Sequence, residues 1–274
     1  MSTILISGLG GFLGKHLSDI CLKEGHRVAG IPRDLFSDTN ALTHYLISAK
    51  PDYIFHLGAY GHHFQHADVD QMMATNIFNT YILLKFSAQL PLKKFVYCGT
   101  SSEYGPRDEA MKESDALNPQ GGYATTKACA SLLTGMFPNT VVVRPFSLFG
   151  EGEYEWRFMP TLIRSLKSGQ VMNLVPDVKH DWIYVADAAD AMLKVAQSNL
   201  TGAVNIGSGK QYSNLEIVKI YEKIADKKLN YVNVSSLRTY DTNHWVANIS
   251  KLKSIGYEPV YGVRCGMKRT YDYY

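Results

Sequence analysis

Glycines at positions 8, 11 and 14 follow the apolar run Ile4-Leu5-Ile6 and lead into a helical pattern that opens at Phe12. This arrangement constrains the chain more than any other feature. A strand that runs into a glycine-spaced turn and then into a helix predicts a βαβ unit with a tight first connection. Glycines let backbone approach a ligand closely, and the helix that follows offers free N–H groups and a positive dipole end, which suit a pyrophosphate. Gly8, Gly11, Phe12, Leu13 and Gly14 are therefore candidate dinucleotide contacts.

The first half continues in this way. Strand-like runs at 3–7, 27–32, 53–57, 94–99 and 140–145 alternate with helical patterns at 12–24, 40–48, 70–90 and 123–136. Such alternation predicts an α/β fold, a Rossmann-type doubly wound parallel sheet with ligands at the carboxyl ends of its strands. After Gly150 the elements shorten, with helices at 158–168 and 187–198, a short strand at 182–184, and a strand at 203–206 that returns to the main sheet. Ser213 and Glu216 have the spacing of a capping box, heading a helix that runs to about Ala225. The expected organisation is a dinucleotide-binding domain over 1–150, a return of the chain near 182–210, and a smaller, interleaved substrate lobe over 151–274.

A net charge of +3, evenly spread, argues against nucleic acid or an anionic membrane as partner. No apolar run reaches spanning length, and the first apolar segment leads into the glycine turn rather than a cleavage site, so a cytoplasmic protein is expected. Cys21, Cys98, Cys129 and Cys265 are too widely separated for a disulfide framework or a zinc site. His62 and His66 would share a helical face as metal ligands could, but no acidic or cysteine partner stands at ligand spacing, and no metal is expected.

Tyr123 and Lys127 are four residues apart in a helical pattern, which places the ammonium on the face of the phenol and would favour its ionised form. Such a pair is a proton shuttle. Thr100, in the Ser/Thr-rich segment after the fourth strand, would aim the oxygen that the shuttle serves. At the end of the second strand Arg33 suits the 2′-phosphate of NADP, while the adjacent Asp34 keeps NAD open as the alternative.

Together these motifs resemble the extended short-chain dehydrogenase/reductase family, the branch of nucleotide-sugar epimerases, dehydratases and reductases. The resemblance also includes His56-Leu57-Gly58-Ala59 after the third strand, Asn76, the segment Arg144 to Gly150, and the segment His180 to Asp187. It implies Thr100, Tyr123 and Lys127 as catalytic residues, with Leu57, Gly58, Ala59 and Asn76 joining the glycine turn around the cofactor. Tyr123 and Lys127 would also touch the cofactor. It further implies substrate contacts at Ser101, Ser102, Ser147, His180 and Arg238. Ser147 and His180 replace the family's usual Asn and Arg.

In the family's 4,6-dehydratases acidic residues follow the catalytic Thr. Here Ser101 and Ser102 do, and Glu103 comes one residue late, on the opposite face if the strand continues. Dehydration is therefore disfavoured. The resemblance points to reduction of a nucleotide-linked 4-keto-6-deoxy sugar, with a nucleotide-sugar 4-epimerase as the alternative and a non-catalytic cofactor sensor as a reading of another class. It also implies a homodimer formed through the helices at 70–90 and 123–136.

Overall fold

The computed structural model describes residues 1–61, 63, 65–235 and 242–274. Arg238, expected to meet the substrate, lies outside the described residues. The first half contains β1 (Thr3–Ser7), α1 (Phe12–Lys23), β2 (Arg27–Ile31), α2 (Thr39–Ala49), β3 (Tyr53–His56), α3 (Val69–Met72), α4 (Asn79–Ser87), β4 (Lys94–Cys98), α5 (Gly121–Thr134) and β5 (Thr140–Pro145). Then follow β6 (Ser147–Phe149), α6 (Phe158–Ser168), β7 (Met172–Leu174), β8 (Lys179–Tyr184), α7 (Val185–Gln197), β9 (Gly202–Ile206), β10 (Gln211–Ser213), α8 (Asn214–Ala225), β11 (Tyr231–Asn233), α9 (Ser250–Lys253) and α10 (Gly262–Tyr273).

Six strands form a parallel sheet in the order β2-β1-β3-β4-β5-β9. The central strands β3 and β4 are buried along their whole length, as strands covered on both faces must be. On one face α1 and the alanine-rich α7 enclose Ile4, Ile6, Phe55, Val96 and Val204. On the other, Leu5, Ile54, Phe95 and Val142 meet leucines of α2 and α4. The chain moves from β1 to β2 on one side and to β3 on the other, so the crevice between the ends of β1 and β3 is the topological switch point where α/β sheets bind ligands.

A second sheet, β10-β8-β6, packs with α6, α8 and α10 around Phe149, Trp182, Tyr184, Ile217 and Met267. The expected capping box at the head of α8 is present, Ser213 Oγ accepting from the Glu216 N–H at 3.1 Å and the Glu216 carboxylate from the Ser213 N–H at 2.7 Å. Asp181 ties this sheet to the strand that returns to the main one. Its carboxylate accepts from the N–H groups of Ser208, Gly209 and Ala247, and burial pushes it up to about 6.

Two expectations change. The helix expected to run unbroken over 70–90 widens into a π turn at Met73–Phe78 and ends at Ser87. The cause is Asn76, which is 1% exposed and whose amide turns inward to bond both the N–H and the C=O of Tyr60 at 2.8 Å. The histidine-rich stretch 61–66 is not helical among the described residues. There His66 stacks on Tyr60, ring centroids 4.3 Å apart, rather than lining up as a ligand. No helix of the described residues is long and apolar enough to cross a membrane.

Candidate active site

The glycine turn sits at the switch point under tight steric limits. Gly8 has φ +75, and a Cβ there would stand 2.9 Å from the Gly58 nitrogen. A Cβ on Gly14 would lie 2.3 Å from the Gly8 carbonyl oxygen, so only glycine lets α1 start this close to β1. Gly11 caps α1 with no side-chain hydrogen bond, and no acidic residue occupies the first turn. The first N–H groups of that helix, at Phe12 and Leu13, are thus left for an anion, and the cradle fits a dinucleotide pyrophosphate.

The loop after β3 is fastened to β1. The Leu57 N–H donates to the Ser7 carbonyl at 3.1 Å and the Gly58 N–H to Ser7 Oγ at 3.3 Å, which brings Gly58 and Ala59 alongside the glycine turn. His56 is a strut, with Nδ1 2.5 Å from Ser7 Oγ and Nε2 2.9 Å from Thr80 Oγ1. Burial, aided by Lys127, pulls it down to about 3, so it stays neutral at ordinary pH. Asn76, expected to touch cofactor, bonds Tyr60 and also Thr126 Oγ1, to which Nδ2 donates at 3.0 Å. Thr126 in turn donates to the Gly122 and Tyr123 carbonyls. Asn76 thus holds α5 in register beside the loop. Arg33 and Asp34 are both exposed just past the end of β2.

Thr100 and Tyr123 come together, the threonine side chain favouring the ionised phenol. Burial pushes the phenol above its ordinary range, with Cys98 and Glu103 adding to the rise. The expected lowering by Lys127 does not occur in this structure. Its ammonium donates to the Cys98 carbonyl at 2.6 Å and lies 4.3 Å from the Tyr97 ring centroid, so desolvation of the phenol prevails. Lys127 itself, 1% exposed, is lowered by burial.

The residues after Thr100 form a 3-10 turn, Ser101–Tyr104, rather than more strand, so the alternation rule that would turn Glu103 to the opposite face does not apply. Glu103 closes a capping box on Thr100. Its Oε1 accepts from the Thr100 N–H at 2.9 Å and Ser131 Oγ at 2.8 Å, while Oε2 accepts from Arg144 Nε at 2.8 Å. Arg144 also donates to the Tyr104 hydroxyl, which donates to Asn205 Oδ1. Burial raises the Glu103 carboxyl, Arg144 opposes that rise, and we take the pair as ionic because both oxygens are fully hydrogen-bonded.

Of the expected substrate contacts, Ser101 is buried and accepts from the Trp245 indole N–H at 3.1 Å, a partner 144 residues away. Ser102 stays partly exposed beside Thr100, whose hydroxyl donates to it at 3.3 Å. Ser147 and His180 lie on adjacent strands: Ser147 pairs with Trp182 across β6 and β8, and the His180 ring meets the Trp182 ring at 5.3 Å. Trp245 belonged to no motif read from the sequence, and Arg144, though it opens the segment 144–150, was given no role of its own.

The model of the NAD dependent epimerase/dehydratase family matches residues 4–207. Among curated proteins, the uncharacterized UDP-glucose epimerase YtcB of Bacillus subtilis is 27% identical over 98% of this chain and 97% of its own length. Among solved structures, the UDP-glucose 4-epimerase of Thermotoga maritima with UDP-glucose superposes with a TM-score of 0.90 at 21% identity, covering 99% of this chain and 98% of its own. The Thermus thermophilus UDP-glucose 4-epimerase complex with NAD gives 0.86 at 21% identity, with coverage of 99% and 98%. Glycine turn, parallel sheet and family match converge, and the chain belongs to the NAD-dependent epimerase/dehydratase family, within the extended short-chain dehydrogenases/reductases.

Proposed function

We propose that the protein reduces a nucleotide-linked 4-keto-6-deoxy sugar at C4. The observation that carries this reading is the Thr100 turn. Its single carboxylate, Glu103, is locked to Arg144, Ser131 and the Thr100 N–H, so the turn offers hydroxyls to a substrate and no acid for dehydration. A nicotinamide dinucleotide, when bound, supplies the hydride. Thr100 holds the carbonyl oxygen by hydrogen bond, and Tyr123 donates its phenolic proton to that oxygen as C4 becomes an alcohol carbon. Lys127, one helical turn on, would hold the cofactor ribose and help return a proton to Tyr123. Ser102, Ser147, His180 and Arg238 are proposed to meet the nucleotide sugar. The exposed Arg33 supports NADP over NAD.

A nucleotide-sugar 4-epimerase is the second reading, favoured by the names of the full-length relatives. It uses the same residues, with Tyr123 first accepting a proton. Reduction should consume NADPH one for one with the 4-keto sugar, and faster than NADH. A constant nicotinamide absorbance with interconversion of C4 epimers would instead support the epimerase. Binding of cofactor with neither outcome would leave a sensor.

A second copy of the chain is proposed to cover the apolar face formed by Val69, Met73, Phe78 and Tyr81 on one side and Leu132 and Met136 on the other, all exposed. Sedimentation should give the mass of two chains. A monomer at micromolar concentration would contradict this.

A further inference from the structure

Lys127 is a buried ammonium with little opposite charge to hold it. It is 1% exposed, and burial works against its charged form. Of the carboxylates, Glu103 favours that charge, but Glu103 is bonded to Arg144, Ser131 and the Thr100 N–H. Two consecutive residues of β4 supply the rest. The Cys98 carbonyl accepts from the ammonium at 2.6 Å, and the Tyr97 ring centroid lies 4.3 Å from the same nitrogen. That places the cation over an aromatic face, an attraction that strengthens when both partners are removed from water. Tyr97 is 0% exposed and its hydroxyl has no hydrogen-bond partner among the described residues, so what it offers the lysine is the ring.

We propose that Tyr97 is a positioning residue of the active site: its ring face and the Cys98 carbonyl form a socket that keeps the Lys127 ammonium charged and in place, one helical turn from Tyr123. This rests on the reading of Lys127 as the lysine that serves Tyr123. The other groups around the ammonium are neutral at ordinary pH, Glu103 of the 3-10 turn excepted. On β3, His56 packs against the Tyr97 ring, centroids 5.9 Å apart, and burial together with Lys127 pulls it down to about 3. On β4, burial pushes the Cys98 thiol up to about 11 and the Tyr97 phenol well above its ordinary range, so the ring meets the ammonium as an uncharged face and not as a phenolate. On α5 itself, burial raises the Tyr123 phenol and lowers Lys127, so the lysine releases its proton first as pH rises.

The test replaces Tyr97 by phenylalanine and by phenylalanines carrying one, two and three ring fluorines, which keep the shape and progressively cancel the negative face. In the cofactor-free protein the Lys127 ammonium is titrated directly by NMR of lysine labelled at Cε, its signal being the one that Lys127→Met removes. Tyr97→Phe should leave the midpoint at its wild-type value. Fluorination should lower it stepwise, by about one pH unit with three fluorines. The basic limb of kcat/KM for ketone reduction, which needs both the Tyr123 and the Lys127 proton, should fall in step. A midpoint indifferent to fluorine, or lowered as far by Tyr97→Phe as by the trifluorinated ring, would overturn the proposal. So would a limb that stays put while the midpoint falls. Lys127→Met separates the two levels of failure. If it is inactive and the midpoint ignores fluorine, the Tyr97 role alone falls; if it is fully active, the reading of Lys127 falls and the positioning role with it.

Discussion

Tyr123→Phe is expected to lower turnover by about two to four orders of magnitude while leaving dinucleotide affinity little changed. The phenylalanine ring fills the same space at the start of α5, so the loss is confined to one hydroxyl and the proton it carries. That hydroxyl lies near Thr100, which heads the turn capped by Glu103, so that an oxygen held by the threonine would meet it. Burial keeps the phenol protonated well above its ordinary range. A group in that state suits an acid that delivers a proton to a nascent alkoxide. Isothermal titration with the dinucleotide and single-turnover kinetics on the same preparation separate binding from chemistry. Activity near wild type would remove Tyr123 from the mechanism.

Gly14→Ala should have the other large effect, a loss of about 3 kcal/mol of stability together with loss of dinucleotide binding. The added Cβ would stand 2.3 Å from the Gly8 carbonyl oxygen, 2.7 Å from that of Leu9 and 2.8 Å from the Leu9 Cα. All three are backbone atoms, and none can swing aside as a side chain would. The first turn of α1 would have to move away from β1, and with it the N–H groups that face the anion site. Gly10→Ala is the matched control: nothing lies within 4 Å of a Cβ there, and folding should be unaffected. Urea unfolding midpoints compare the two variants. Equal midpoints would mean that close packing at Gly14 does not decide the fold of the turn.

The parallel sheet was legible because its signal is local. Thr3–Ser7 and Thr140–Pro145 read as short β-branched or apolar runs bounded by turn residues, and the strands occupy those ranges. Gly8, Gly11 and Gly14 were legible for the same reason, since a turn of that spacing between strand and helix carries its own steric logic. What escaped depends on contacts distant in sequence. Asn76 widens its helix because it bonds a loop 16 residues earlier and Thr126, 50 residues later. Ser101 faces Trp245, and no spacing rule links them. Glu103 was placed by assuming that the strand continued, whereas a capping box on Thr100 ends it and turns the carboxylate toward Arg144. Tyr123 and Lys127 stand one turn apart on α5, as their spacing implied, and the bond from the Lys127 ammonium to the Cys98 carbonyl, 29 residues earlier in the chain, is a contact that spacing does not show.

Hydride transfer to the sugar at this site is tested most directly with cofactor deuterated at the transferable position of the nicotinamide. After reduction of a 4-keto-6-deoxy nucleotide sugar, the expected result is one deuterium at C4 of the product and none elsewhere, with Tyr123→Phe forming the labelled alcohol about two to four orders of magnitude more slowly. Deuterium at another carbon, or product formed at full rate without label, would contradict it.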